Sequence, residues 1–185
     1  DANENSLEPV YGVGLNRYPD PRQKFLKMKI SDLKSIDSER IFLGNGSDEP
    51  IDLLIRAFCE PGKDQILIPA PTYGMYQVCA DINAVGVKKV DLTNEFQLDI
   101  DGILKEINDK TKLIFLCSPN NPTGNTMYRE DVKTLLETFE GLVVIDEAYI
   151  DFSEEKGWLD ELDEHENLVI LQTFSKAWGM AASRV

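Results

Sequence analysis

Histidine is nearly missing from this chain. His165, in the acidic stretch "DELDEHEN", is the single one. One histidine cannot supply a histidine-rich zinc site or most hydrolase triads, so His165 reads as a solvated loop residue. Cysteine is scarce too. Cys59, Cys79 and Cys117 are odd in number, have no C-x-x-C spacing and sit in apolar stretches. They read as reduced core thiols rather than disulfides or metal ligands. Positive charge is short: 19 basic residues face 33 acidic ones, a formal charge of −14. That argues against nucleic acid and anionic membranes as general partners, while leaving room for a local cationic pocket. No apolar run is long enough to span a bilayer and no signal-peptide pattern opens the chain, so a cytoplasmic protein is expected. Walker loops, G-x-G-x-x-G fingerprints, internal repeats and low-complexity linkers are absent as well.

What is present is a globular composition. The chain has 185 residues, 42% of them hydrophobic, enough for one domain with a sizeable core. Residues 1–21 are rich in Asn, Pro, Gly and Tyr and read as an extended arm. "DPRQKFLKMKISDLKSI" follows with Leu26, Ile30 and Leu33 at helical spacing. From there strands and helices alternate. Strands are expected at "RIFLG", "QILIP", "VKKVDL", "KLIFLC", "GLVVID" and "NLVILQ". Helices are expected at "SDEPIDLLIRAFC", "PTYGMYQVCADIN", "DIDGILKEIN" and "REDVKTLLETF". This rhythm predicts an α/β fold with a mainly parallel (mixed) sheet flanked by helices.

The unusual residues gather where strands end: "GNGSDE", "SPNNPTG", "DEAY" and "TFSK". In open α/β sheets ligands bind beyond the carboxyl ends of the strands, so four clusters there suggest one shared site. Glycines in "GNGSDE" let the backbone approach a ligand, and the free N–H groups of the next helix favour an anion. Ser47 is also a candidate N-cap. Tyr73 in "PTYGMY" can stack on a planar ring, or simply fill the core. "SPNNPTG" has the residues of a turn, yet it also aims the Asn121 amide, which suits a phenolate oxygen. Asp146 ends a buried strand and needs a partner, a protonated heterocyclic nitrogen or a structural arginine. Tyr149 can offer its hydroxyl nearby. Lys176, at the expected junction of a strand and a helix, is placed to form a Schiff base with an aldehyde. Thr173, Ser175 and Arg184 can hold a phosphate. A phosphate, a planar ring, a ring nitrogen bearing a proton, a ring oxygen and an aldehyde together describe pyridoxal 5′-phosphate.

The ordered set GNGSDE, PTYGMY, SPNNPTG, DEAY, TFSK and a trailing Arg resembles the class I/II aminotransferases of fold type I, over essentially all 185 residues. "DANEN", "NRYPDP" and "LIRAFCEPGKD" favour, within that family, the branch whose amine donor is histidinol phosphate. The resemblance implies transamination with 2-oxoglutarate by a ping-pong mechanism, in a homodimer. It makes Lys176 the catalytic amine and Asp146 the partner of the pyridine N–H. Tyr149 and Asn121 would bond the ring oxygen, and Tyr73 would stack on the ring. Gly46, Ser47, Asp48, Thr173, Ser175 and Arg184 would hold the phosphate, and Tyr18 would reach the partner's cofactor across the dimer. The family's arm often reads N-E-N-P before an aromatic. Here it is "NENSLEPVYG", with Tyr11 the candidate. The expected division is an arm and first helix over 1–40 and the large cofactor domain over 41–185, incomplete at its C-terminus. The family's small C-terminal domain, which carries the substrate-gripping arginines, falls outside this chain. Two enzyme alternatives share the scaffold: an aromatic or broad-range aminotransferase and a phosphothreonine-type decarboxylase. A non-catalytic cofactor-binding sensor is the alternative of another class.

Overall fold

The computed structural model describes residues 20–185. Five strands form a parallel sheet: β1 (Gln65–Ala70), β2 (Gly86–Asp91), β3 (Thr111–Cys117), β4 (Leu142–Asp146) and β5 (Leu168–Leu171). Their spatial order is β2-β1-β3-β4-β5, and every pairing among them is parallel. The antiparallel component that a mixed sheet would need is not found among the described residues. The helices are α1 (Lys24–Lys34), α2 (Asp48–Phe58), α3 (Met75–Ile82), α4 (Ile100–Glu106) and α5 (Arg129–Thr138). None is long and apolar enough to cross a membrane.

Strand alternation sorts the core into two layers. In β3, Leu113, Phe115 and Cys117 face one side, where Ile51 and Ile55 of α2 and Tyr76 and Cys79 of α3 pack on them. Ile114 and Leu116 face the other, against Ile103 of α4 and Val132 and Leu135 of α5. A buried parallel sheet is covered on both faces in this way, and its strands read as near-continuous apolar runs. β1 and β2 wind one way from the centre of the sheet and β3, β4 and β5 the other. The order therefore reverses between β1 and β3, and the carboxyl ends beside that reversal are where a ligand is expected.

Local signals explain most of the helices. Asp99 caps α4, accepting the Gly102 N–H at 3.1 Å. α2 opens with Asp48 and Glu49 and ends near Arg56, charges that suit the helix dipole. α1 forms where its spacing predicts, but none of its residues is buried; Leu33 remains half exposed.

Three expectations are corrected. Residues 41–44 are not a strand, because no neighbouring strand pairs with them in the described sheet. No α-helix follows Lys176, only a single 3-10 turn at Ala181–Ser183. Residues 174–180 form a compact turn, closed by Gly179 N–H to Lys176 O (3.1 Å) and Met180 N–H to Phe174 O (3.0 Å). His165 is not a solvated residue: its side chain is only 16% exposed, with Nε2 3.8 Å from Glu161 Oε2. The three cysteines are buried and unpaired, as expected of core thiols.

Candidate active site

Three of the four clusters, "GNGSDE", "DEAY" and "TFSK", converge with Tyr73 on one cleft at the carboxyl ends of the strands, and "SPNNPTG" reaches it through Asn121 at the Tyr149 hydroxyl. Ser47, Asp48, Tyr73, Asp146, Tyr149 and Lys176 line it, with Thr173, Ser175 and Arg184 at one corner. These side chains come from the start of α2, the loop after β1, the end of β4 and the turn after β5. Alternation sets the direction of Asp146. Val144 faces the α2–α3 layer, so Asp146, two residues on, emerges on that same side.

Asp146 is 2% exposed. Its Oδ2 accepts the Tyr76 hydroxyl at 2.8 Å and its Oδ1 accepts the Ala148 N–H at 3.0 Å. Burial still pushes its pKa up, ahead of these hydrogen bonds, because they do not replace lost hydration of a full charge. A cation against it would offset that penalty. Tyr76, which the sequence reading did not single out, is fully buried and stacks on Phe115 with centroids 5.0 Å apart. Burial, and then the Asp146 charge, hold its phenol well above the usual range. Its only signal in the sequence is its place three residues after Tyr73.

Lys176 sits on the 174–180 turn, with Nζ 5.4 Å from the centre of the Tyr149 ring. The turn is braced from outside. Phe174 and Trp178 meet edge to face at 5.4 Å, and Trp178 Nε1 donates to Asp151 at 2.8 Å. Asn121 donates towards the Tyr149 hydroxyl at 3.5 Å, so these two groups share one corner. The neighbouring asparagine has another task. Asn120 is 3% exposed and ties the loop after β3 to the loop after β1, through Pro71 O (3.0 Å) and the Thr72 hydroxyl (2.9 Å).

The opposite corner is suited to an anion. Gly46 has φ +70° and lies under Arg184, whose Nη2 would be 2.5 Å from a Cβ placed there. Arg184 Nη2 donates to Asn45 O at 2.9 Å, and the Gly46 N–H donates to Arg184 O at 3.0 Å. The glycine loop and the 184 loop are thus knitted together. Ser47 occupies the N-cap position of α2 without capping by its side chain. Its Oγ is buried and has no hydrogen-bond partner among the described residues. Thr173 is already engaged: its Oγ1 lies 2.9 Å from both Val185 O and Ser175 Oγ. Its one proton can serve only one of them: given to Val185 O, it leaves the Ser175 proton to make the contact between the two hydroxyls, and given to Ser175 Oγ, it frees the Ser175 proton for an anion. The Asp48 carboxylate accepts the Tyr73 hydroxyl at 3.0 Å, so only its backbone N–H is available to an anion. Tyr18 and Tyr11 lie outside the described residues.

A larger groove, about 480 Å³, runs along the exposed side of β5. Its lining is chiefly aliphatic and aromatic. Its charged members are already paired, Lys34 with Asp151 inside the groove and Arg40 with Asp163. It offers no convergent set of polar groups, and the chemistry belongs to the cleft.

Comparison with known proteins places this geometry in a family context. The sequence model for aminotransferases of class I and II matches residues 8–185. Over all 185 residues the chain is 58% identical to the histidinol-phosphate aminotransferase of Cytophaga hutchinsonii and 56% identical to that of Bacteroides fragilis strain YCH46, covering 53% and 52% of them. The chain spans about half the length of the curated relatives it matches. In structure it resembles the histidinol-phosphate aminotransferase of Sinorhizobium meliloti, solved in complex with pyridoxal 5′-phosphate. The TM-score is 0.82 at 24% identity, over 91% of this chain and 47% of that one. At that identity the likeness speaks for the fold.

Proposed function

The chain belongs to the class I and II aminotransferases, and from that premise we propose that the full-length protein transfers the amino group of L-histidinol phosphate to 2-oxoglutarate, using pyridoxal 5′-phosphate. The observation that carries the reading is the convergence of Lys176 and Asp146 on one cleft beside an anion corner. The choice of amine donor is supported by the relatives above, which are named for histidinol phosphate.

The residues fit the cofactor. An unpartnered, buried Ser47 hydroxyl and a glycine whose missing side chain makes room for Arg184 are what a phosphate needs. A buried carboxylate short of compensation is what a protonated ring nitrogen needs. Arg184, Ser47, Ser175 and the N–H group of Asp48 would hold the phosphate, with Thr173 beside Ser175 and Gly46 giving the room that Arg184 needs. Tyr73 would cover the ring, and Asn121 and Tyr149 would bond its oxygen. When bound, pyridoxal phosphate supplies an aldehyde for amines and a protonated ring that withdraws electrons.

The protein's own part is positioning and proton transfer. Lys176 would offer its amine to the cofactor's aldehyde, and its Nζ, once free, would be the base that takes the proton from the substrate's alpha carbon and hands it back on the same face. Asp146 would hold the proton on the ring nitrogen. The expected products are imidazole-acetol phosphate and, after the second half-reaction, glutamate. The same reading makes residues 41–185 the cofactor domain, with 1–40 as arm and first helix. The arm would place Tyr18 across the interface of a homodimer, and the enzyme would serve histidine biosynthesis in the cytoplasm.

The full-length protein loaded with cofactor should form an adduct that borohydride fixes to Lys176. Lys176→Ala should lose it entirely and drop turnover by several orders of magnitude; an adduct that survives the substitution refutes the role. Histidinol phosphate should outperform phenylalanine and aspartate as donor. A clear preference for either amino acid would point to an aromatic or broad-range aminotransferase, and release of carbon dioxide to a decarboxylase.

A further inference from the structure

Asp48 carries the wrong charge for the corner it occupies. It opens α2 beside Gly46 and Ser47, where an anion would bind, yet it is a carboxylate. Two carboxylates begin this helix and they turn opposite ways. Glu49 folds back on the loop, accepting the Asn45 N–H at 2.6 Å and the Asn45 side-chain amide at 3.0 Å. Asp48 turns across the cleft to the Tyr73 hydroxyl, 3.0 Å away and 25 residues on in the chain. A carboxylate offers acceptors only, so the Asp48 side chain has nothing to give a phosphate and adds repulsion to it. What it does hold is the tyrosine. Tyr73 is gripped at its hydroxyl by Asp48, while its ring meets Tyr76 edge to face, with centroids 5.6 Å apart and planes at 84°. Tyr76 in turn is fixed on Phe115 and Asp146. The Tyr73 ring is therefore anchored to the start of α2 at one end and to the buried Asp146 cluster at the other.

We propose that Asp48 is a positioning residue that acts on the cofactor ring through Tyr73, its carboxylate making no contact with the phosphate. The proposal rests on the reading of the cleft as a pyridoxal phosphate pocket. Its charge is tolerated near an anion because the Tyr73 hydroxyl and the first turn of α2 both stabilise it. The gain is a ring platform with one orientation, set before the ligand arrives.

The test is a double-mutant cycle in the full-length protein. Cofactor-free wild type, Asp48→Ala, Asp48→Asn, Tyr73→Phe and the Asp48→Ala/Tyr73→Phe double variant are titrated with pyridoxal phosphate. Visible absorbance of the lysine adduct gives the affinity, and visible circular dichroism reports the setting of the bound ring. Asp48→Ala and Tyr73→Phe should each weaken binding roughly five- to tenfold, the upper range of one net hydrogen bond, and alter the dichroic band alike. The double variant should be no worse than either single one. Asp48→Asn keeps an amide oxygen for the hydroxyl and should stay within about twofold of wild type. Losses that multiply in the double variant overturn the proposal. So does Asp48→Ala binding more tightly than wild type, or Asp48→Asn failing as badly as Asp48→Ala. Those results leave the pocket reading intact, because the adduct still forms. A wild type that forms no adduct removes the pocket reading and this role with it.

Discussion

Asp146 shows most clearly how burial and function oppose each other in one side chain. Its carboxylate is desolvated, and burial raises its folded-state pKa above the unfolded value. A carboxyl shifted in that direction stabilises the fold fully below about pH 4, near the unfolded value, and the contribution is lost as pH rises through the folded pKa. At neutral pH the ionised, buried carboxylate therefore carries a cost in the cofactor-free protein. Asp146→Asn should raise the melting temperature of the cofactor-free protein at neutral pH, and the gain should shrink as pH falls towards about 4. Cofactor affinity should fall in the same variant, because the ring nitrogen loses its counter-charge. Thermal melts across pH, paired with a cofactor titration, check both halves. Glu147 is the control residue. It is 1% exposed and also raised by burial, yet it faces away from the cleft chemistry. Its oxygens accept the Trp158 N–H at 2.6 Å and the Gln172 amide at 2.7 Å, which fastens residues 157–158 to the end of β5.

At the scale of elements, the site is made by turns that the sheet brings side by side. The glycine loop before α2 and the loop after β5 are separated by most of the chain, yet Gly46 N–H bonds Arg184 O and Arg184 Nη2 bonds Asn45 O. Gly46 has no steric freedom to change. At φ +70° a side chain is disfavoured by about 1–2 kcal/mol, and its Cβ would meet the Arg184 guanidinium. Gly46→Ala should lower stability by about that amount and displace Arg184, weakening pyridoxal phosphate binding by about tenfold or more, as loss of a charge-assisted contact implies. Urea unfolding and cofactor titration separate the two effects. Unchanged affinity would show that Arg184 does not serve the anion. The 174–180 turn is the second such device: two backbone hydrogen bonds and the Phe174–Trp178 pair fix Lys176 without a helix.

The whole molecule divides its labour between the two faces of the sheet. The α2–α3 face carries the core and also the floor of the site, through Phe115, Tyr76 and Asp146. The α4–α5 face, with Leu116, Ile145 and Trp158, carries core alone. Neighbouring residues of β3 therefore differ in consequence. Phe115→Ala and Leu116→Ala should each cost about 2–5 kcal/mol in urea unfolding. Phe115→Ala alone should also weaken cofactor binding, since Tyr76 loses the ring beneath it. Equal cofactor affinity in the two variants would refute the division. Charge acts at this scale too. The chain is strongly acidic, −14 overall, and the cleft holds Lys176 and Arg184 beside Asp48 and Asp146, so any pull on an anion is local to the Arg184 corner.

The sequence by itself determined the rhythm of strands and helices, since a buried parallel strand must be apolar throughout and each helix must show an apolar stripe. It also determined the chemical parts, because Lys176, Asp146, Asn121 and Arg184 stand in turns and strand ends that packing alone does not call for. It singled out Asn121, which turns to Tyr149, but gave no sign that Asn120 beside it is buried as a tie between two loops, because that role depends on Pro71 and Thr72, far away in the chain. Nor could it find Tyr76, whose value comes from the order β1-β3-β4, which lays α3 over Asp146. The residues at 41–44 read as a strand and are not one, and those after Lys176 read as a helix and are not one. Pairing partners and loop closure are decided by neighbours distant in the chain. Tertiary structure alone joined Asp48 to Tyr73, because a hydrogen bond between residues far apart in sequence exists only once the sheet has set their elements side by side.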